Sequence, residues 1–383
     1  MFGSKRFDRF RTCRVAFPGT TIAIRATMRD SLPAHITLYL TTPLERTERM
    51  LREVIRRASI EVSEPYPLVL AAPITDDELH GLLVEMGTTL SPTEQEMTKC
   101  WMVLDGAEPS HAQLMQAQAL SELISWSDSQ WLADILESER LCTHFQPIVW
   151  IEKPEDVYAY ECLLRGTTAG GDIIPPARLY RAAGSTRMLS QLEKAARSTA
   201  IASAAQHELD TFVFININPS SFSVSDLDLA ELFRRVEQHG LAPDRLVFEI
   251  VESERIDDAD TVLHFMKEFR RAGARIALDD VGTGYNSLHM LSQLKPDLIK
   301  LDMQFIREVF RDAYKGLVTA KLLEMARELG VLTVVEGVET EAEWRWMLEH
   351  GAELAQGYLF ARPAANPPSP SFAPSQERAS TPR

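Results

Sequence analysis

The feature that most restricts the fold begins near Leu141, where short apolar runs start to alternate with amphipathic stretches and continue to do so for most of the remaining chain. Residues 145–150, 157–164, 211–217, 245–251, 275–278, 298–301 and 331–335 are dominated by apolar and β-branched residues, which suits strands covered on both faces. Between them, TVLHFMKEFRRA (261–272) and KGLVTAKLLEMAREL (315–329) set apolar residues three and four apart, predicting helices with one face on a sheet. Strand and helix in repeated alternation imply a parallel α/β architecture. Seven or eight such units favour a closed (β/α)8, TIM-like barrel over an open doubly wound sheet, and no GxGxxG follows a strand to indicate a dinucleotide fold.

Ahead of this region the texture differs. Residues 1–108 read as a small α+β domain, with strands expected at 22–26 and 35–42. Its helices have legible starts. Thr42 with Glu45, Thr75 with Glu78, Ser91 with Glu94 and Ser110 with Gln113 all match the capping box, in which a hydroxyl and an acid or amide satisfy free helical N–H groups reciprocally. Residues 109–130 are expected to be a helical linker and 131–363 the barrel. The tail, PAANPPSPSFAPSQERASTPR from Pro363, is rich in Pro and Ser, which predicts disorder over 364–383. No chemistry shows itself in the first domain, so a regulatory role is expected of it.

A formal net charge of -15 argues against a general nucleic-acid binder, and no DNA partner is expected. Cys13, Cys100, Cys142 and Cys162 lack any CxxC spacing, which speaks against zinc or a disulfide framework and for a reducing cytoplasm. No apolar run approaches the ~18 residues of a membrane span, and the first residues, MFGSKRFDRFRTCRVAF, carry arginines where a signal peptide is apolar.

The polar residues at the strand ends carry the functional argument. The second barrel strand ends at Glu161 with Arg165 beyond it, and the third at Asn216; the fourth carries Glu249 and Glu252. The fifth ends at the adjacent pair Asp279 and Asp280, Lys300 lies in the sixth, and the seventh ends with Glu336 and Glu339. In a barrel such ends converge on one face. So many carboxylates around a single lysine are unstable as bare charges, and metal ions resolve the conflict. The donors are hard oxygens without His or Cys, which points to Mg²⁺ or Mn²⁺, and adjacent aspartates suit two ions with one carboxylate bridging both. Paired divalent ions recur in phosphodiester hydrolysis, and once bound they turn an acidic mouth into one that attracts phosphate.

At this point the residues resemble the EAL domain, the bacterial phosphodiesterase that opens cyclic di-GMP to linear pGpG. The resemblance is carried, in order, by FQPIV (145–149), YECLLRG (160–166), FININPSSF (214–222), FEIVES (248–253), LDDVGTGYNSL (278–288), KPDLIKLD (295–302), VVEGVET (334–340) and QGYLF (356–360). It implies that Glu161, Asn216, Glu249, Asp279 and Glu336 bind a first ion, and Asp279 and Asp280 a second. Lys300, Glu336 and Glu252 would form the catalytic group, with Lys300 orienting or deprotonating water and Glu252 anchoring the loop at 281–288. Gln146, Glu161, Leu163, Arg165 and Gln356 would serve the substrate, Arg165 through a phosphate. The same loop would couple ion binding to a homodimer contact through the barrel, and the first domain would meet a protein partner. Cys162 stands where the signature has alanine, and Val281 where the loop usually has phenylalanine. Two alternatives stay open: a silent cyclic di-GMP receptor, and a metal phosphodiesterase for another nucleotide. Glu252 and Glu339 also fit a helix cap or an arginine pair.

Overall fold

A computed structural model describes residues 36–104, 117–186, 188–218, 226–251, 259–282 and 287–372. The expected strand at 22–26, the expected cap at Ser110, Glu252 and the last eleven residues of the tail, 373–383, lie outside the described residues. The chain divides into two compact units, Met1–Trp131 and Leu132–Arg383.

The first unit is an antiparallel sheet with helices on one face. Its strands are β1 (Ile36–Thr41), β2 (Ser63–Tyr66), β3 (Val69–Ile74), β4 (Lys99–Leu104) and β5 (Gln118–Ala119), in spatial order β2-β3-β1-β4-β5. β1 pairs with both β3 and β4, each reached through a helix, which is the split β-α-β arrangement. Helix Glu45–Arg57 buries Thr47, Leu51, Val54 and Ile55, positions four and three apart that form one stripe. That stripe meets Leu38 and Leu40 of β1 and Leu82 and Met86 of helix Asp76–Thr89 in one cluster. On the other sheet face, Tyr39 and Trp101 stack with ring centroids 5.3 Å apart, beside Ala71 and Val103. The boxes at Thr75–Glu78 and Ser91–Glu94 form in full. The one at Thr42 does not: its helix starts at Glu45 with Leu44 as an uncapped N-cap, and the Thr42 hydroxyl instead accepts the Leu44 N–H. The acid therefore sits at the first helical position, out of reach of the reciprocal bond. Residues 117–130 also depart from a linker: β5 pairs with β4, and Leu120 and Leu123 of helix Leu120–Glu137 join the first unit's core.

The second unit is a closed barrel. Its strands are β6 (Leu141–Trp150), β7 (Lys153–Thr167), β8 (Ile173–Ile174), β9 (Phe212–Ile217), β10 (Leu246–Val251), β11 (Arg275–Val281), β12 (Leu298–Leu301), β13 (Leu332–Val335) and β14 (Leu354–Ala355). β7 and β9 to β14 pair in parallel from each to the next, β6 closes the ring against β14 and β7, and β8 is a short appendage on β7. β6 is antiparallel to both neighbours, a departure from the all-parallel expectation that follows from the short hairpin joining it to β7. β14, two residues long, was too short to register as an apolar run in the sequence.

The period of two along each strand builds the site. Ile148, Ala159, Phe214, Val247, Ala277, Leu298, Val334 and Leu354, one residue from each ring strand, share an interior cluster with Tyr158. Two positions further on along seven strands come Glu161, Asn216, Glu249, Asp279, Lys300, Glu336 and Gln356; on β6, which runs the other way, the equivalent is Gln146, two positions earlier. Residues of opposite parity, such as Ile215, Phe248, Leu278 and Ile299, pack in the outer cluster with helix residues such as Phe265, Phe269 and Leu323.

The expected disorder from Pro363 is corrected up to Phe372. Ala364 exchanges both backbone hydrogen bonds with Phe145, at 2.7 and 3.1 Å, and Phe372 packs on Trp344 and Phe360. Proline and serine removed helix and strand propensity there, yet apolar contacts and carbonyl acceptors still fix the segment.

Candidate active site

Lys300 is the centre of the polar layer. Only 1% of it is exposed, and its Nζ lies 2.7 Å from Glu249, 2.5 Å from Glu336, 3.3 Å from Asp279 and 3.6 Å from Glu161. Burial pulls the ammonium pKa down, but Asp279, Glu161, Glu249 and Glu336 outweigh that and hold it well above the ordinary lysine value. A general base at this position therefore needs its acids engaged elsewhere; with them facing it, Lys300 is a cation. Burial, reinforced by Glu161 and Asp279, drives the Glu249 carboxyl well above its usual range despite Lys300. Burial also pushes Glu336 up to about 8.

Glu161 is held from two sides. Gln356 Nε2 donates to Glu161 Oε2 at 2.7 Å and to Gln146 Oε1 at 3.3 Å, while Asn216 Nδ2 donates to Glu161 Oε1 at 3.4 Å. Gln146 Nε2 in turn donates to the Ala361 carbonyl at 3.3 Å. Gln356 is fixed by its own backbone, which donates to Val335 and accepts from Val338. That approach requires glycine next: a Cβ on Gly357 would stand 2.1 Å from the Val338 carbonyl oxygen.

The adjacent aspartates reach one face through a local irregularity. The β11–β12 register shifts between Leu278 and Val281, and Asp280 takes φ +55°, a left-handed conformation that costs energy outside glycine. Asp280 N–H donates to Asp279 Oδ1 at 2.9 Å. A regular strand would send the two side chains to opposite faces. Instead, carboxylate atoms of Asp279, Asp280 and Glu336 lie within 4.8 Å of one another. Backbone strain of this kind concentrates at functional sites.

These donors fit hard cations. They are carboxylates and one amide, four of the acids already converge on a single positive charge, and the buried Glu249 Oε2 has no hydrogen-bond partner. Glu161, Asn216, Glu249, Asp279, Asp280 and Glu336 are the residues that would hold such ions.

Beside this layer lies a cavity of about 510 Å³ lined by Glu161, Asn216, Leu163 and Arg165. Arg165 is partly buried and donates to the Leu164 carbonyl at 2.7 Å. The same cavity is bordered by Glu193 and Arg197, a buried pair 3.6 Å apart on helix Leu189–Gln206 that the sequence analysis missed. Its signal was an acid and an arginine four apart on a helix face otherwise made of Leu192, Ala200, Ile201 and Ala204. Glu339 does not join the site: it pairs with Arg307 at 2.8 Å, half exposed to solvent. Cys162 faces outward from the barrel into the packed layer, buried, with its thiol pKa pushed far up by that burial. Trp344 Nε1 donates to the Ile151 carbonyl at 2.9 Å, and Trp346 stacks on His350, so both are packing residues.

A model described as the EAL domain matches residues 129–363. The bifunctional diguanylate cyclase/cyclic di-GMP phosphodiesterase MucR of Pseudomonas aeruginosa is 30% identical over 254 residues, covering 65% of this chain and 36% of that protein. The cyclic di-GMP phosphodiesterase NbdA of the same organism is 31% identical over 237 residues, covering 61% of this chain and 30% of its own length. The chain thus spans about a third of the length of these curated relatives. Among solved structures, a MucR phosphodiesterase in complex with cyclic di-GMP aligns with a TM-score of 0.55 and 28% identity, over 62% of this chain and 97% of that one.

Proposed function

The chain belongs to the EAL domain family, and from that membership we propose that it hydrolyses cyclic di-GMP to linear pGpG in bacterial second-messenger signalling. The observation that carries the reading is the ring of strand ends. Eight strands deliver Gln146, Glu161, Asn216, Glu249, Asp279, Lys300, Glu336 and Gln356 to one layer above an apolar floor, and this convergence of hard oxygen donors supports the reading. Two Mg²⁺ or Mn²⁺ ions held there would lower the pKa of a water and neutralise charge on the attacking and leaving oxygens.

The chain's own groups do the rest. Gln146 and Gln356 fix Glu161, so that its carboxylate does not rotate away. Lys300 offers N–H donors to an attacking oxygen and, once its acids serve other cations, is free to take up a proton-transfer role. Arg165 supplies a guanidinium for a second phosphate along the cavity shared with Glu161. The floor of Ile148, Phe214, Val247 and Leu298 keeps bulk water from reaching the acids from below.

A homodimer through the barrel is supported by an exposed apolar face on helix Ala313–Leu329, where Tyr314 is 81% and Leu317 61% exposed, with Val318 and the nearby Phe310 beside them. The first unit is assigned the modulation of activity. Among the described residues no helix is long and apolar enough to cross a membrane, and the chain is proposed to act in the cytoplasm.

The alternative, a silent receptor for cyclic di-GMP, draws on Lys300, whose ammonium already pairs with Glu249 and Glu336. Purified protein with Mg²⁺ or Mn²⁺ and cyclic di-GMP decides between them. Appearance of pGpG supports hydrolysis, tight binding without turnover supports the receptor, and absence of both points to another nucleotide.

A further inference from the structure

Residues 364–372 lie just past the last residue of the family match, and two of their anchors, Phe145 and Tyr160, are chain neighbours of site residues. The Ala364 bridge holds Phe145, adjacent to Gln146. The Tyr160 hydroxyl, adjacent to Glu161, donates to the Pro368 carbonyl at 3.1 Å. Ser371 donates from both its N–H, at 2.9 Å, and its hydroxyl, at 3.1 Å, to the carbonyl of Phe360, next to the Ala361 that accepts from Gln146. Phe372 closes the run against Phe360 and Trp344.

The pairing also fills a gap. β14 covers only Val149 and Trp150 of β6. Toward the mouth β6 would present an unpaired edge beside Gln146, and the Ala364 bridge takes that place. Because successive residues of a strand face opposite sides, a hold on Phe145 and Tyr160 from outside fixes the inward direction of Gln146 and Glu161. Neither Phe145 nor Tyr160 can shift without carrying its neighbour along.

We propose that residues 364–372 are a positioning strap: clamped on the outer face of β6 and β7, they fix Gln146 and, through Gln356, the orientation in which Glu161 meets a divalent ion. The inference rests on the metal-dependent reading of the site. Groups that orient ligands from behind change ion affinity by about 10–100-fold when lost, and this sets the expected scale.

Four variants test it beside the full chain: one ending after Pro363, one ending after Phe372, Phe372→Ala, and Phe372→Leu as its conservative partner. Mn²⁺ affinity is measured by calorimetry, cyclic di-GMP turnover by pGpG formation, and folding by circular dichroism and thermal melting. The chain ending after Phe372 is expected to match the full chain. Ending after Pro363 should weaken Mn²⁺ uptake by on the order of tenfold and lower kcat more than it raises KM. Phe372→Ala should move the same way by less, with Phe372→Leu restoring most of the loss. A chain ending after Pro363 that melts earlier but keeps Mn²⁺ affinity and turnover within about twofold, against the about tenfold expected, makes the segment merely structural and overturns the proposal. Mn²⁺ uptake without turnover in the full chain overturns the phosphodiesterase reading alone, because the strap is still judged on ion affinity. No Mn²⁺ uptake by the full chain overturns both.

Discussion

The two units solve the same packing problem and differ in what they bury. In the first, both sheet faces are apolar, and the buried polar groups among its described residues are mostly hydroxyls, Thr42, Thr47, Thr98 and Ser127, with one acid, Asp128. Thr98 shows how such a group is accommodated, its hydroxyl donating to the Glu94 carbonyl within its own helix turn at 2.8 Å. In the barrel, one two-residue step along the strands turns an apolar floor into a layer with Glu161, Glu249 and Lys300 fully or almost fully buried. Burying charge costs stability even when it is paired. A core selected for packing largely avoids it, as the described residues of the first unit do apart from Asp128. The barrel also buries charge at Glu193, Arg197 and Glu343, but it concentrates the cost in this layer, which is where perturbed groups mark chemistry.

The largest effect should come from the acids and their cation. Glu161→Ala or Lys300→Ala is expected to lower turnover by on the order of 10³-fold or more with the fold intact by circular dichroism; retained activity in either would erase the distinction between the two units. Next in size, chelation should stop turnover, and Mn²⁺ at about a hundred times its dissociation constant should stabilise the barrel by about 2.7 kcal/mol. Melting followed by separate probes checks whether the first unit's transition stays put. Leu51→Ala, at a fully buried position of the first core, is expected to cost about 2–5 kcal/mol in denaturant unfolding while leaving Mn²⁺ affinity unchanged. A shift in ion affinity would mean that the first unit shapes the site directly. The smallest effect is assigned to Cys162→Ala: below about 1.5 kcal/mol in stability, with turnover unaltered, because this side chain faces the packed layer while its neighbour Glu161 faces the centre.

Much of this was legible in the sequence because strand parity and strand ends are local properties. Seven of the ring strands showed as apolar runs, and Glu161, Asn216, Glu249, Asp279, Lys300 and Glu336 stood at their ends; the structure places all six in one layer. What escaped was set by contacts between distant residues. β14 exists because its two residues bridge β13 and β6. The reversal of β6 depends on a hairpin, and the order of residues 364–372 depends on Phe145, Tyr160 and Trp344, none of which is near in sequence. The left-handed Asp280 was hidden for the same reason, since the shift between β11 and β12 that accompanies it is a property of two strands. The uncapped start at Leu44 shows the converse error, a local pattern that its own geometry did not honour.

The bond from Gln356 to Gln146 spans 210 positions of the chain, and that to Glu161 spans 195. Contacts of such separation form late, after a large loop has closed. A nascent chain on the ribosome, folding from its beginning, would display the acids of the early strands long before the Gln356 amide that holds Glu161 emerges. Competence would then arrive only with the final strand, so a prematurely terminated product would be inert rather than unregulated.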